Sequence, residues 1–142
     1  MRALGIDFGE KRIGLAVSAP DSRLALPLAT LSRAGDREAI AAIADIARRE
    51  EVELLVIGDP VNLDGSRGDA SRRVDRFAAR LAAATGLPVE RVPEALTSRQ
   101  AEKRLREAGV DPRRHPERID AVAAQILLED ALAARSDPRR VP

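Results

Sequence analysis

The sequence predicts an α/β fold: a mixed five-stranded sheet, built from a three-strand antiparallel meander and two parallel strands, flanked by helices. Three observations predict it. Three apolar runs fall within the first 31 residues, too close together for crossover helices, so each must turn back on its neighbour. An apolar run at 54–57 and a further short strand at 88–92 alternate with segments of helical period, the pattern of parallel strands joined by crossovers. At 142 residues, 44% of them hydrophobic, the chain can bury one packed core; residues 1–135 are read as a single domain and 136–142 as a flexible tail.

Residues 3–6 form the first strand, with Leu4 and Ile6 alternating about Gly5, and Asp7 ends that run. An ionised carboxylate is costly to bury alone, so a cation, an arginine or capping donors must offset it. A plain turn-starting aspartate is the alternative at this point. Gly9 and Gly14 bracket Glu10, Lys11 and Arg12; glycine permits close approach of another backbone, and a hairpin fits, leading into a strand over 13–17. Residues 24–31 contain Pro27, which lacks a ladder donor and predicts an edge strand. A helix over 36–50 follows, with Asp36 as its cap and Ile40, Ile43, Ile46 and Ala47 as its apolar stripe. The wholly apolar run 54–57 suits a central strand covered on both faces.

Residues 58–68 read as a polar loop with Pro60, Gly65 and Gly68. A helix over 71–85 turns Val74, Phe77, Ala78 and Leu81 inward and stops at Gly86. After the strand at 88–92, a helix over 98–108 stops at Gly109, and Pro116 opens a final helix to about residue 134. The crossovers should be right-handed.

Phe8 and Phe77 are the only Phe, Tyr or Trp residues, so the core is aliphatic, and their scarcity argues against recognition by base stacking on aromatic platforms. The absence of cysteine excludes disulfides and thiolate metal sites. Nothing resembles a signal peptide or a membrane span, and a cytoplasmic protein is expected. Net charge is +1, yet charged residues make up 33%, and lysine occurs only at 11 and 103. Arginine forks match phosphate geometry. Two groups, Arg67, Arg72, Arg73, Arg76 and Arg80, then Arg99, Arg104, Arg106, Arg113, Arg114 and Arg118, could grip a phosphate backbone. Interspersed Asp69, Asp75, Glu102 and Glu107 favour solvated helix faces instead. His115 stands alone and reads as a loop or cap residue.

Three acids sit at the edges of apolar elements: Asp7 after the first strand, Glu94 after the last, and Asp120 in the second turn of the final helix. Parallel first and last strands bring Asp7 and Glu94 out at one end of the sheet, where open α/β sheets place their sites. A final helix packed across that end would add Asp120. Three such carboxylates repel one another, and a hard divalent cation removes the conflict. Oxygen ligands without cysteine or clustered histidine point to Mg²⁺ or Mn²⁺. Two such ions about 4 Å apart can activate water and stabilise the leaving oxygen of a phosphodiester. The competing reading makes Glu94 and Asp120 ordinary helix-flanking acids. The loop at 58–65 contains part of a calcium-loop pattern, but Pro60 takes the first ligand position and Ser71 stands where the bidentate glutamate belongs.

Four stretches together carry a family resemblance. Gly5-Ile6-Asp7-Phe8-Gly9 with Arg12-Ile13-Gly14-Leu15-Ala16-Val17-Ser18 resembles the opening motif of the YqgF family. Ile57 to Gly65 is similar to that family's Gly-x-Pro-x-Asn-x-Asp-Gly loop, Glu94-Ala95-Leu96-Thr97-Ser98 to its Asp-Glu-Arg-Leu-Thr-Thr stretch, and Ile119-Asp120-Ala121-Val122-Ala123-Ala124 to its Val-Asp-x-x-Ala-Ala helix. These are bacterial RuvC-like proteins described as Holliday junction resolvases and pre-16S rRNA nucleases. The resemblance implies a ribonuclease H-like fold, a metal-dependent endonuclease, and Asp7, Glu94 and Asp120 as its metal-binding acids. Pro93 and Ala95 depart from the pattern, replacing the acid and the arginine that flank the family's glutamate.

The expected activity is therefore metal-dependent cleavage of structured nucleic acid, RNA or branched DNA, in pre-16S rRNA processing, junction resolution or both. Lys11, Arg12, Asn62, Thr97 and Arg118 are the expected substrate contacts. A resolvase would be expected to form a two-fold homodimer, whereas an RNA-trimming enzyme can act as a monomer. One alternative is a non-catalytic RNA- or ribosome-binding module with a vestigial site. A second is an actin-like ATP-binding protein, since Asp-x-Gly before a glycine hairpin also resembles a phosphate-binding hairpin; such proteins need two domains, and one of 142 residues is too short.

Overall fold

The first three strands form the predicted meander: β1 (Ala3–Phe8) pairs antiparallel with β2 (Arg12–Ser18), which pairs antiparallel with β3 (Ala25–Ser32). The computed structural model describes residues 1–20, 22–60, 64, 66–94 and 97–135, apart from the side chains of residues 94, 97 and 98. Helix α1 (Asp36–Arg49) leads to β4 (Leu54–Pro60), α2 (Asp69–Thr85) to β5 (Val89–Glu94), and α3 (Thr97–Glu107) and α4 (Pro116–Arg135) complete the order. The sheet runs β3-β2-β1-β4-β5, with β1, β4 and β5 mutually parallel. Pro27 lies on the edge strand β3, where the ladder also shifts register opposite Leu15 and Ala16.

Strand alternation sorts the core into two halves. Leu4, Ile6, Ile13, Leu15, Val17, Leu55 and Ile57 pack on one face with α1 and α2, around the fully buried Phe77 and Leu81. Ala3, Ala16, Leu54 and Val56 form the other face, against Ala124, Leu128 and Leu132 of α4. Helix α3 lies outside α4, joining Ala101 and Leu105 to Val122, Ala123 and Ile126. The edge strand β3 is the exception to this burial, leaving Leu26 and Leu28 exposed.

Several boundaries differ from expectation. Strand β1 continues through Asp7 and Phe8 because the hairpin closes late: Phe8 still pairs Ile13, and the Gly9 N–H donates to the Arg12 carbonyl at 3.0 Å. Strand β4 takes in Gly58, Asp59 and Pro60, read above as loop, because β5 pairs beside it as far as Glu94. Asp36 is the first helical residue and does not cap α1; Gly35 takes the cap position, and the Asp36 carboxylate accepts from Arg33 Nε at 2.9 Å, a charged donor that wins over a backbone amide. Gly86 does end α2, at φ 70° in the left-handed region that favours glycine. The expected tail at 136–142 lies outside the described residues. Among the described residues no helix is long and apolar enough to cross a membrane.

Candidate active site

Asp7 shares strand parity with Ala3 and Gly5, which places it on the α4 face of the sheet. It is partly buried and pairs across the hairpin with Gly14. That glycine is where α4 comes down. A Cβ on Gly14 would overlap the Asp120 carbonyl oxygen and lie 2.9 Å from the Ala121 nitrogen. One on Gly5 would lie 2.8 Å from both the Ala124 oxygen and the Leu128 Cβ. Helix α4 thus rests on β1 and β2 backbone to backbone, which only glycine at these positions allows. Asp7 and the backbone of Asp120 are both neighbours of this one glycine.

Two polar bonds hold α4 in that position. Thr30, the partner of Gly14 on the β3 side, donates its hydroxyl to the Glu117 carbonyl at 2.5 Å. Gln125 Nε2 donates to the Ala25 carbonyl at 2.8 Å. Asp120 itself accepts from Arg12 Nε at 2.6 Å, with the acid 21% and the arginine 42% exposed. The Asp120 hydrogen bond and charge, with a smaller contribution from Glu117, raise the Arg12 pKa further, so its guanidinium stays charged at any working pH.

Glu94 ends β5 in register with Pro60 of β4. Because β1, β4 and β5 are parallel, the strand ends carrying Asp7 and Glu94 lie on one edge of the sheet. Strand β4 separates them, and two strand spacings amount to about 10 Å between backbones. The Glu94 side chain lies outside the described residues, and among those described no three acid, histidine or cysteine side chains form a metal-binding group. The structure therefore sets the backbones of Asp7 and Asp120 against the same glycine and the Glu94 backbone at the same sheet end.

The expected substrate contacts divide. Lys11 is exposed at the hairpin tip, and Arg118 is exposed two residues before Asp120; neither has an ion-pair partner among the described residues. Arg12, expected to be open to substrate, is instead bonded to Asp120. Thr97 begins α3 with its side chain outside the description, and Asn62 and Ala95 lie outside the described residues.

Most arginines around α2 serve the fold. Arg67 reaches Asp59 and Asp75 at 3.0 and 2.7 Å, Arg91 joins Asp75, and Arg72 pairs with Asp69 at 2.8 Å. Asp59, buried at the end of β4, also accepts from the Ser71 hydroxyl and so ties α2 to the sheet. Sequence reading passed over Asp59, although it ends an apolar run just as Asp7 does. The Arg12–Asp120 pair spans 108 residues and leaves no local signal.

The family model described as RuvX, Holliday junction resolvase, matches residues 1–134. A protein of Anaeromyxobacter dehalogenans strain 2CP-C named "Putative pre-16S rRNA nuclease" is 46% identical over 136 residues, covering 96% of this chain and 99% of that one. Another of that name from Chloroflexus aggregans strain MD-66 is 43% identical over 135 residues, covering 95% of each. Among solved structures, Thermus thermophilus RuvC in complex with a Holliday junction substrate aligns with a TM-score of 0.62 at 19% identity, over 95% of both chains. The fowlpox virus resolvase with its substrate Holliday junction DNA aligns at 0.63 and 9% identity, over 96% of this chain and all of that one. The latter two speak to the fold, which is the ribonuclease H-like fold that the motifs imply. By sequence along nearly its whole length, the chain belongs to the RuvX (YqgF) family of nucleases.

Proposed function

We propose that the chain is a divalent-metal-dependent endonuclease acting on structured nucleic acid, with Asp7, Glu94 and Asp120 as its metal-binding and catalytic acids. One observation supports the reading: the helix that carries Asp120 comes down onto Gly14, the cross-strand neighbour of Asp7, so that both acids start from backbone around one glycine. A packed core gains nothing from bringing two acid-bearing segments to one glycine, whereas a cation site needs such convergence. The donors are all oxygens, which fits Mg²⁺ or Mn²⁺. Glutamate, the longer acid, stands at the position farthest from β1, as bridging an intervening strand demands. When bound, the metal supplies the Lewis acidity and water activation for phosphodiester hydrolysis.

The chain's own residues do the remaining work. Asp7 and Asp120 hold the site on a rigid strand and a rigid helix. Lys11 and Arg118, exposed on either side, meet the phosphate backbone as charges without partners to displace. Asn62 and Thr97 are assigned to substrate contact by the family motifs alone. The names of the curated relatives favour pre-16S rRNA as the substrate, and the family description makes a Holliday junction the second candidate. A monomer suffices for the first and a homodimer suits the second.

The test is Asp7→Asn assayed with Mn²⁺ on pre-16S rRNA ends, a four-way junction and single-stranded RNA. Cleavage should fall on the order of 10³-fold, about 4 kcal/mol of transition-state stabilisation, with unchanged thermal stability. Equal cleavage by wild type and a well-folded mutant would remove Asp7 from the chemistry. Metal-independent binding without cleavage by the wild type would favour the non-catalytic module instead.

A further inference from the structure

We infer that Arg12 is an internal competitor for the cation site, holding Asp120 in place of metal and releasing it when metal binds. The inference rests on the reading that Asp120 is a metal ligand. Arg12 engages that acid through Nε alone, at 2.6 Å onto Oδ2. A single-point bond lacks the bidentate grip that makes arginine–carboxylate pairs hard to break. Both backbones are fixed. Gly14 clamps Asp120, and the Arg33 N–H donates to the Lys11 carbonyl at 2.9 Å beside the hairpin tip. The Arg12 side chain is 42% exposed and has solvent to swing into. Exchange therefore needs a rotamer change and no movement of the fold.

The chemistry of the competitor sets how the exchange works. A guanidinium is not deprotonated in a protein, so raising the pH does not release Arg12, whereas a competing cation on the acid does. Without metal, Arg12 neutralises the acid. With metal bound, its donors are released beside the carboxylates, where a phosphate oxygen can take them. Arg12 thus becomes a substrate contact only after the metal has arrived, which orders the two binding events.

Calorimetric titration of the metal-stripped full chain with Mn²⁺ tests this, using wild type, Arg12→Gln, Arg12→Lys and Lys11→Gln. Arg12→Gln should bind Mn²⁺ about three- to tenfold more tightly, the scale of a partly exposed ion pair. Arg12→Lys, which keeps a charge able to pair with Asp120, should stay near wild type and guards against an unfolded glutamine variant. Lys11→Gln removes a neighbouring charge that does not touch the acid, and should change affinity less than twofold. Equal affinity in wild type and Arg12→Gln would end the competition while leaving the carboxylate site standing. No Mn²⁺ binding by any variant would overturn both readings. Weaker binding by Arg12→Gln would make Arg12 a brace between hairpin and helix, and equal tightening by Lys11→Gln would reduce the effect to general charge; either result overturns the proposal.

Discussion

The two faces of the sheet are built from different residues, although the same strands supply both. On the α1/α2 face β2 presents Ile13, Leu15 and Val17, and β1 presents Leu4 and Ile6. On the α4 face the same strands present Gly14, Ala16 and Ser18, then Ala3, Gly5 and Asp7. Large side chains hold α1 and α2 away from the strands and bury much apolar area. Small ones let α4 descend until its backbone touches the sheet. The first arrangement is how a core gains stability. The second sacrifices burial for position, and Asp7 and Asp120 occur only on the side where position was favoured. Helix α4 recovers part of the loss by burying its outer side under α3, so it is apolar nearly all round.

Gly14→Ala should break this difference most severely. The added methyl meets the Asp120 carbonyl and the backbone nitrogen of Ala121, and neither can swing aside as a side-chain tip would. Helix α4 must lift. A stability loss of roughly 3 kcal/mol is expected in urea unfolding, at the upper end for overpacking. Cleavage by the folded fraction should drop on the order of 100-fold, the cost of displacing a reacting group by about 1 Å. A Gly14→Ala protein with wild-type cleavage would show that α4 does not set the site.

Leu15→Ala, one residue further along the same strand, should separate the two roles. Leu15 is fully buried among the large aliphatics of the opposite face. Its truncation should cost about 3 kcal/mol of stability through lost burial and a residual cavity. Cleavage per folded molecule, measured well below the lowered midpoint, should remain within about twofold of wild type. A large fall in kcat with intact secondary structure would mean that the two faces are coupled.

The same contrast explains what could be read in advance. The first four strands are largely apolar runs and the fifth is a short segment between a helix stop and Pro93, so all five were visible, and Pro27 marked its edge because a missing donor acts locally. The polar ends of β1 and β4 were misjudged because a partner strand, not the residue itself, decides whether Asp7 or Gly58 is paired. Asp36 looked like a cap, but Arg33 competes for its carboxylate. Gly14 was legible as a site of close approach, while the helix that approaches it comes from over 100 residues downstream. Asp7 and Asp59 show the limit most clearly. Both end buried runs, and nothing local distinguishes them; Asp59 proves structural because Ser71 and Arg67 meet it on the α2 face. Whether such an acid meets α2 or α4 lies in the face, and the face depends on register.

Thr30→Val gives the smallest effect and the finest probe of how α4 is held. The hydroxyl of Thr30 bonds to the Glu117 carbonyl across the strand from Gly14, at the first turn of the helix that carries Asp120. Valine keeps the strand propensity and most of the volume, so the change removes one hydrogen bond and little else. A net loss of about 1 kcal/mol is expected, because the exposed carbonyl regains water. If the bond merely stabilises, cleavage by the folded protein stays level. If it sets the pitch of α4 over Gly14, Mn²⁺ affinity should weaken about twofold to fivefold while the urea midpoint moves only slightly. The second pattern is expected here, because the β1 and β2 residues beneath α4 are small ones, Ala3, Gly5, Gly14 and Ala16, which fix its distance from the sheet but do little to fix its tilt.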